Sequence, residues 1–306
     1  MIVVAGEALF DLVLGSSEEL RAHPGGGPFN TARTLGRLEQ PGAYRGRRSR
    51  DRLGTRLRRL REQDGVDLGA VVDTDDPTTV ALAELDVDGG VRYRFYVRAT
   101  AAPGLTADAA LAALPAAVEV LHVGTLGLAL EPVADAMEAL VERVAGHALV
   151  AVDPNCRPAV IADPDRYRAR LRRVLARADL VKLSEEDAAW LDPGREPIEA
   201  ARALLDGGPT AAVLTRGAAG AAAITAAGAA EVEAPPVDVV DTIGAGDAFG
   251  GGLLAHWRRH RLPRERLADL DALTAATRFA CLVAARTCAR AGASPPRLAE
   301  LPEPGY

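Results

Sequence analysis

Residues 241–249, Asp-Thr-Ile-Gly-Ala-Gly-Asp-Ala-Phe, set two acids around a glycine turn that runs into a helical stretch through Leu253, Leu254 and Trp257. A helix N-terminus offers unpaired backbone N–H groups and the positive end of the helix dipole, so such a turn accepts an anion. Gly244 and Gly246 leave room for the anion to approach the main chain. Asp247 would repel that anion, unless its task is to take a proton from the group that attacks it. An aspartate N-cap on an ordinary helix explains an isolated G-A-G-D equally well. A second stretch, Gly25-Gly26-Gly27-Pro28-Phe29-Asn30, is another glycine turn ahead of a helix, and Asn30 offers both a donor and an acceptor, as a polyol requires. Asp153-Pro154-Asn155-Cys156-Arg157-Pro158 adds polar groups after an apolar run, and Thr215-Arg216-Gly217-Ala218-Ala219-Gly220 adds a third glycine turn.

These groups need strands that end near one another. The β-branched run 2–5 suits a strand buried on both faces, and Glu7 and Asp11 follow it, where α/β folds hold ligands. Residues 78–86 and 91–97 flank Asp88-Gly89-Gly90 and read as a β-hairpin. From residue 106 the rhythm is regular: helix 106–114, strand 118–123, helix 131–144, strand 148–152, strand 179–183, strand 211–215 and helix 264–291. Strands spaced by helices of this length predict a parallel sheet with right-handed crossovers. Ser184 ahead of Glu185, Glu186 and Asp187 reads as a helix cap with acids in the first turn. Arginines at 45, 47, 48 and 50 read as a solvated face able to steer an anionic substrate.

The first and last of the chemical motifs carry a resemblance. D-T-I-G-A-G-D-A-F resembles the second signature of the PfkB (ribokinase-like) carbohydrate kinases, and G-G-x-x-x-N at 25–30 resembles their first; the likeness runs over residues 3–296. It implies a ribokinase-like α/β fold of three α/β/α layers over residues 1–306, with a small β-sheet lid from insertions at about 11–24 and 75–100, and a homodimer through that lid. It implies ATP-dependent phosphorylation of a sugar hydroxyl, Asp247 acting as general base and the Gly244–Asp247 turn as anion hole through the N–H groups of Ala245, Gly246 and Asp247. Sugar contacts would fall to Asp11, Gly26, Gly27, Asn30, Arg98, Asn155 and Arg157. Nucleotide contacts would fall to Lys182, Ser184, Thr215, Gly217, Gly220 and Gly246, with the helix 264–291 beside the adenine. The family's N-x-x-E is replaced here by Ser184 and Asp187, so Glu186 or Glu185 would serve Mg²⁺ through water. Asp241, Ile243 and Gly292 would hold a monovalent cation such as K⁺. G-E-A-L-F-D, Pro28 and D-P-N-C-R-P resemble fructokinases, whereas residues 96–102 resemble 2-keto-3-deoxygluconate kinases, where Arg98 would meet a carboxylate. Both substrates stay open, as do another sugar acid, a nucleoside and a non-catalytic sugar sensor.

Composition narrows the classes. Hydrophobic content of 48% with 25% charged residues is that of a globular chain, and a net charge of −6 argues against nucleic-acid binding. No apolar run of membrane-spanning length occurs, and the N-terminal stretch reads as a core strand rather than a signal peptide. Three cysteines without metal spacing point to a reducing cytoplasm. No G-x-x-x-x-G-K-[ST] is present, which excludes a P-loop enzyme, and G-A-G-D-A-F lies too late and lacks the third glycine for a dinucleotide-binding oxidoreductase.

Overall fold

A computed structural model describes residues 1–14, 19–40, 42–85, 91–112 and 114–302. The chain opens with β1 (Ile2–Ala5), then β2 (Leu9–Leu14), β3 (Leu20–Gly25), α1 (Gly27–Arg37), β4 (Gly42–Arg45), β5 (Arg47–Ser49), α2 (Arg52–Gln63), β6 (Val72–Thr74), β7 (Val80–Leu85) and β8 (Val91–Tyr96). The alternation follows as α3 (Ala107–Ala112), β9 (Val120–Gly124), α4 (Leu126–Ala129), α5 (Val133–Val144), β10 (Leu149–Asp153), α6 (Pro164–Leu175), β11 (Leu180–Ser184), α7 (Glu185–Leu191), α8 (Pro197–Ala203) and β12 (Ala211–Thr215). The hairpin β13 (Ala221–Thr225) and β14 (Gly228–Val232) precedes two long helices, α9 (Ala245–Arg259) and α10 (Leu270–Cys288).

Eight strands form one sheet in the order β14-β13-β12-β11-β10-β9-β1-β4, with β4 through β12 parallel and the β13–β14 edge antiparallel. Its strands are apolar on both faces, because each face is covered by helices. Val4, Ala151 and Val213 pack with Phe29 of α1, Leu253 of α9 and Val283 of α10, while Val3, Val152 and Leu214 pack with Met137 of α5 and Leu171 of α6. That is a three-layer ribokinase-like α/β arrangement. The chain turns to opposite sides of β1, to β4 and then to β9, so a crevice opens at the carboxyl end of β1.

The hairpin expected at 78–97 is β7 and β8, paired antiparallel; its Asp88-Gly89-Gly90 turn lies outside the described residues. β2 pairs with β3 and, in parallel, with β7, giving a separate sheet β3-β2-β7-β8 from the two segments where the lid was expected.

Two expectations fail here. Of the arginines at 45, 47, 48 and 50, Arg50 is solvated at 59% exposure and the other three are not. Arg45 is fully buried and donates to the carbonyls of Ala70, Ala109 and Ala110, while Arg47, Arg48 and Arg50 pair with Asp76, Asp73 and Asp75. A guanidinium can be buried where several carbonyls satisfy its fork of donors, a pattern that composition does not reveal. The stretch 264–291 is not one helix either. A 3₁₀ turn at Arg264–Ala268 ends at Asp269, whose carboxylate caps α10 by accepting the N–H groups of Asp271 and Ala272. The apolar stripe that the sequence sets at Leu267, Leu270, Leu273, Ala276 and Ala280 survives the break, with all but the half-buried Leu270 wholly buried.

Helix α9 carries three consecutive glycines, poor helix formers. For two of them the reason is close packing: a Cβ on Gly251 would stand 2.6 Å from Thr34 Cβ of α1, and one on Gly252 would stand 3.0 Å from Val283 Cβ of α10, whereas one on Gly250 would meet nothing within 4 Å. This tract seats α9 between two helices and brings the first turns of α9 and α1 together.

Candidate active site

The carboxyl ends of β1, β9, β10, β11 and β12, the first turns of α1 and α9, and one face of the small sheet enclose a cleft of about 740 Å³. At its centre, Asn30 Nδ2 donates to Asp247 Oδ2 at 2.8 Å, and the Thr31 hydroxyl donates to the Asp247 carbonyl at 3.2 Å. Asp247 Oδ1 points at the other wall, since a Cβ on Gly27 would lie 3.1 Å from it. Gly244 caps α9 in the left-handed region at φ 74°, where a side chain would also strike Ala293. The Ala245 N–H is spent on the Thr242 carbonyl at 3.2 Å, so the first free amides of α9 are those of Gly246 and Asp247. Of the Ala245, Gly246 and Asp247 N–H groups expected to form an anion hole, the Ala245 one is therefore not free.

Cationic charge reaches the same turn from β11. Lys182 is buried, donates to Asp153 Oδ2 at 2.9 Å, and lies beside Gly246, where a Cβ would be 3.2 Å from its Nζ. Burial works against its charge, but the carboxylates of Asp153, Asp187 and Asp247 outweigh it and hold the ammonium above the usual lysine range. Asp153 Oδ1 and Asn30 Oδ1 are buried without a partner.

The opposite end is acidic. Burial lifts Asp11, on β2, to about 6; the Asp247 charge adds to this and Arg157 opposes it. Glu7 is wholly buried and accepts from the Gly27 N–H at 3.1 Å, the Gly127 N–H at 3.2 Å and the Thr125 hydroxyl. Its burial raises it to about 7 against those hydrogen bonds. Thr125 and Asn155 both take positive φ, 55° and 40°, at the cleft margin, a costly backbone state that recurs at ligand sites.

Of the residues expected from sequence, Asp11, Gly26, Gly27, Asn30, Asn155, Arg157, Lys182, Ser184, Glu186, Thr215, Gly217, Ile243, Gly244, Gly246 and Asp247 all line this cleft. Arg98 does not; it sits exposed on the turn after β8. Gly220 does not either, and its φ of 90°, with Val232 O 2.0 Å from a would-be Cβ, makes it a requirement of the β12–β13 turn. Asp241 and Gly292 stand behind the cleft: the Asp241 carboxylate accepts the Ile243 N–H at 2.9 Å and the Gly292 N–H at 2.7 Å, tying two turns together. Ser184 lines the cleft, but its hydroxyl is held in a capping box with Asp187. Among the described residues no three His, Cys, Asp or Glu side chains converge as a metal site.

Sequence reasoning missed three groups. Glu7 stood next to Asp11 without a role, because nothing in the sequence marks it as buried. Asp153 opened the D-x-N-x-R element but carried no assignment until Lys182 was found against it. Asp187 was read as a departure from N-x-x-E, whereas it also accepts the Cys156 N–H at 2.6 Å and so fixes the loop bearing Asn155 and Arg157.

An acid, a helix N-terminus and a buried cation thus meet in one polar cleft of a ribokinase-like fold. The chain belongs to the pfkB family of carbohydrate kinases, whose model matches residues 1–299, and it is a sugar kinase. It is 36% identical to a fructokinase of Rhizobium leguminosarum bv. trifolii over 277 residues, 89% of this chain and 84% of the relative. Aminoimidazole riboside kinase from Salmonella enterica, solved with aminoimidazole riboside and an ATP analogue, superposes with a TM-score of 0.84 at 28% identity, covering 95% of this chain and 94% of that one. Fructokinase from Vibrio cholerae O395, solved with fructose, ADP and calcium, also gives 0.84 at 27% identity, with 95% and 94% covered. A double mutant of it holds fructose, ADP and potassium. Among the described residues no helix is long and apolar enough to cross a membrane.

Proposed function

We propose that this chain transfers the γ-phosphoryl group of ATP to a hydroxyl of a neutral sugar, with fructose the first candidate. The observation that carries the reading is the Asp247 carboxylate, gripped on Oδ2 by Asn30 and open on Oδ1 toward Gly27, under the free amides of its own helix and beside Lys182. A sugar hydroxyl resting on the Gly26–Gly27 turn gives its proton to Asp247 Oδ1 as its oxygen attacks. The Gly246 and Asp247 N–H groups and the Lys182 ammonium take up the charge of the transferring group, the part of such a reaction that positioning and electrostatics accelerate most.

Asp11 and the orphaned Asn30 Oδ1 suit sugar hydroxyls, which donate. A neutral sugar is favoured over a sugar acid because Arg98, the residue that would meet a carboxylate, stands outside the cleft, and Asp11 and Asp247 repel an anion. The nucleotide runs from Gly246 toward Thr215 and Gly217. Glu186, exposed and unpaired among the described residues, suits water-mediated retention of Mg²⁺, which neutralises phosphate charge. The turns that Asp241 ties together suit K⁺. Both helical layers share one sheet, which supports a single kinase domain. Leu20 and Tyr96, each 55% exposed on the outer strands of the lid, support a homodimer through it, and three free cysteines fit a cytoplasmic enzyme.

The test is ADP release with ATP and Mg²⁺, with and without K⁺, across fructose, ribose, 2-keto-3-deoxygluconate and nucleosides. Turnover on fructose is expected, reduced about 10²–10⁴-fold in Asp247→Asn with little change in either KM. Sugar binding with no turnover above the variant's background would leave a sensor on a kinase fold, and turnover on the sugar acid alone would overturn the neutral-sugar assignment.

A further inference from the structure

Glu7 carries no part of the phosphoryl transfer described above, yet it is among the most enclosed charges in the molecule, 3% exposed at the exit of β1. Its two oxygens collect donors from segments far apart in sequence. Oε1 takes the Gly27 N–H, in the first turn of α1, and the Thr125 hydroxyl, just past β9; Oε2 takes the Gly127 N–H, inside α4. An ionised carboxylate is the side chain suited to this, since it accepts on both oxygens and bonds to a charged acceptor are the stronger kind.

The bonds have a second consequence. The Gly27 amide is spent on Glu7, itself at the cleft wall, so this glycine contributes a surface and not a donor to a bound sugar. That surface is fixed from beneath: the Thr125 methyl would meet a Cβ on Gly27 at 2.5 Å, and Asp247 Oδ1 would meet the same atom at 3.1 Å. Thr125 in turn donates its N–H to the Asp153 carbonyl at 3.0 Å, so the β10 exit is coupled to the same point. Thr125 holds a positive φ of 55°, a state that persists only where the surroundings over-determine it, and its hydrogen bond to Glu7 is one such constraint.

We infer that Glu7 is a positioning residue: one buried carboxylate that clamps the α1 turn, Thr125 and the start of α4 into a single floor, and so sets the distance between a bound sugar and Asp247. The inference rests on the sugar-kinase reading for its functional half, while its structural half stands alone.

Two readouts keep these halves apart. Hydrogen–deuterium exchange on the protein without sugar is expected to show peptides covering 25–31 and 124–130 losing protection together in Glu7→Ala, about tenfold or more, while peptides covering 211–220 stay as in the wild type. Glu7→Gln, which keeps one acceptor and turns an amide donor toward another donor, should show the smaller part of this change and secures the comparison if the alanine variant folds poorly. With sugar and ATP, the sugar KM should rise about tenfold to a hundredfold in Glu7→Ala and less in Glu7→Gln, with the ATP KM within twofold of wild type. Unchanged protection in both floor peptides overturns the clamp. A general loss of protection with both KM values unmoved reduces Glu7 to an ordinary core residue. If the wild type phosphorylates no sugar, the kinase reading falls, and the exchange result still decides whether the clamp exists.

Discussion

Replacing Asp11 by Asn should make the protein more stable at pH 8 and a worse binder of sugar. The wild-type carboxyl sits at about 6 in the folded chain against an ordinary 3.8, raised first by burial and then by the charge of Asp247. A carboxylate raised on folding holds its proton in the native state over a window where the unfolded chain has lost it. Between about pH 4 and pH 6, stability therefore falls as pH rises, and above that window the penalty is present in full. A separation of about two pH units corresponds to about 3 kcal/mol as a ceiling. Asp11 keeps some solvent contact, and solvent screening brings the expected gain down to about 1.5 kcal/mol. In a chain this long that moves Tm upward by about 2 °C. Thermal unfolding at pH 8 and at pH 4 checks it: Asn should win at the higher pH and lose its advantage at the lower, where Asp11 is neutral in the wild type too. The sugar KM should rise about tenfold to a hundredfold, as a charged acceptor is lost. A lower Tm at pH 8, or an equal gain at both pH values, would refute the reasoning, because Asp11 would then not be a charge held at a cost for the sake of the ligand.

Two further substitutions probe the opposite end. Lys182→Met leaves Asp153 buried without its cation and should cost about 3–5 kcal/mol of stability. It should also lower turnover by at least tenfold; denaturant unfolding and steady-state rates at saturating sugar measure the two, and an unchanged midpoint would show that the pair carries no structural burden. Gly220→Ala should cost about 1–3 kcal/mol through its left-handed backbone and the collision with Val232 O, while leaving both KM values alone. A raised ATP KM at wild-type stability would instead return Gly220 to the nucleotide site.

How much of this was legible before any coordinates depended on whether a residue's role is local. The turns at 25–30 and 241–249 announce themselves because glycine followed by a helix start is a short-range pattern, and both reach the cleft. The parallel sheet is legible for the same reason, as a rhythm of apolar runs and helices. Roles set by distant partners were not. Arg45 looks like any surface arginine until Ala70, Ala109 and Ala110 surround it; Glu7 looks like a loop acid until Gly27, Thr125 and Gly127 converge on it. The motif at 215–220 shows the limit most clearly. Gly217 lines the cleft and Gly220 only lets the chain reverse into β13, although the two are three residues apart and equally glycine.

The single lysine closes the argument about charge. Of thirty-six lysines and arginines, one is lysine, and it is buried beside the first turn of α9. Two buried arginines spread their donors over several acceptors, Arg45 over three carbonyls and Arg170 over Glu131, Asp135 and Glu138, while Arg61 lies over the Tyr44 and Phe29 rings with Nε donating to the Leu57 carbonyl. Beside Gly246 the setting differs: among the described residues Asp153 is the one side-chain acceptor in hydrogen-bond reach of the cation, and even a methyl on Gly246 would lie 3.2 Å from it. A planar guanidinium would leave donors unsatisfied there and intrude on the amides of α9, whereas a compact ammonium spends one donor on Asp153 and keeps the others for an arriving anion. Charge is thus paired along the cleft: Lys182 sits among Asp153, Asp187 and Asp247, and Arg157 offsets Asp11. In the proposed reaction Asp247 stands between the two, where a proton would leave the sugar and negative charge would arrive on the phosphoryl group.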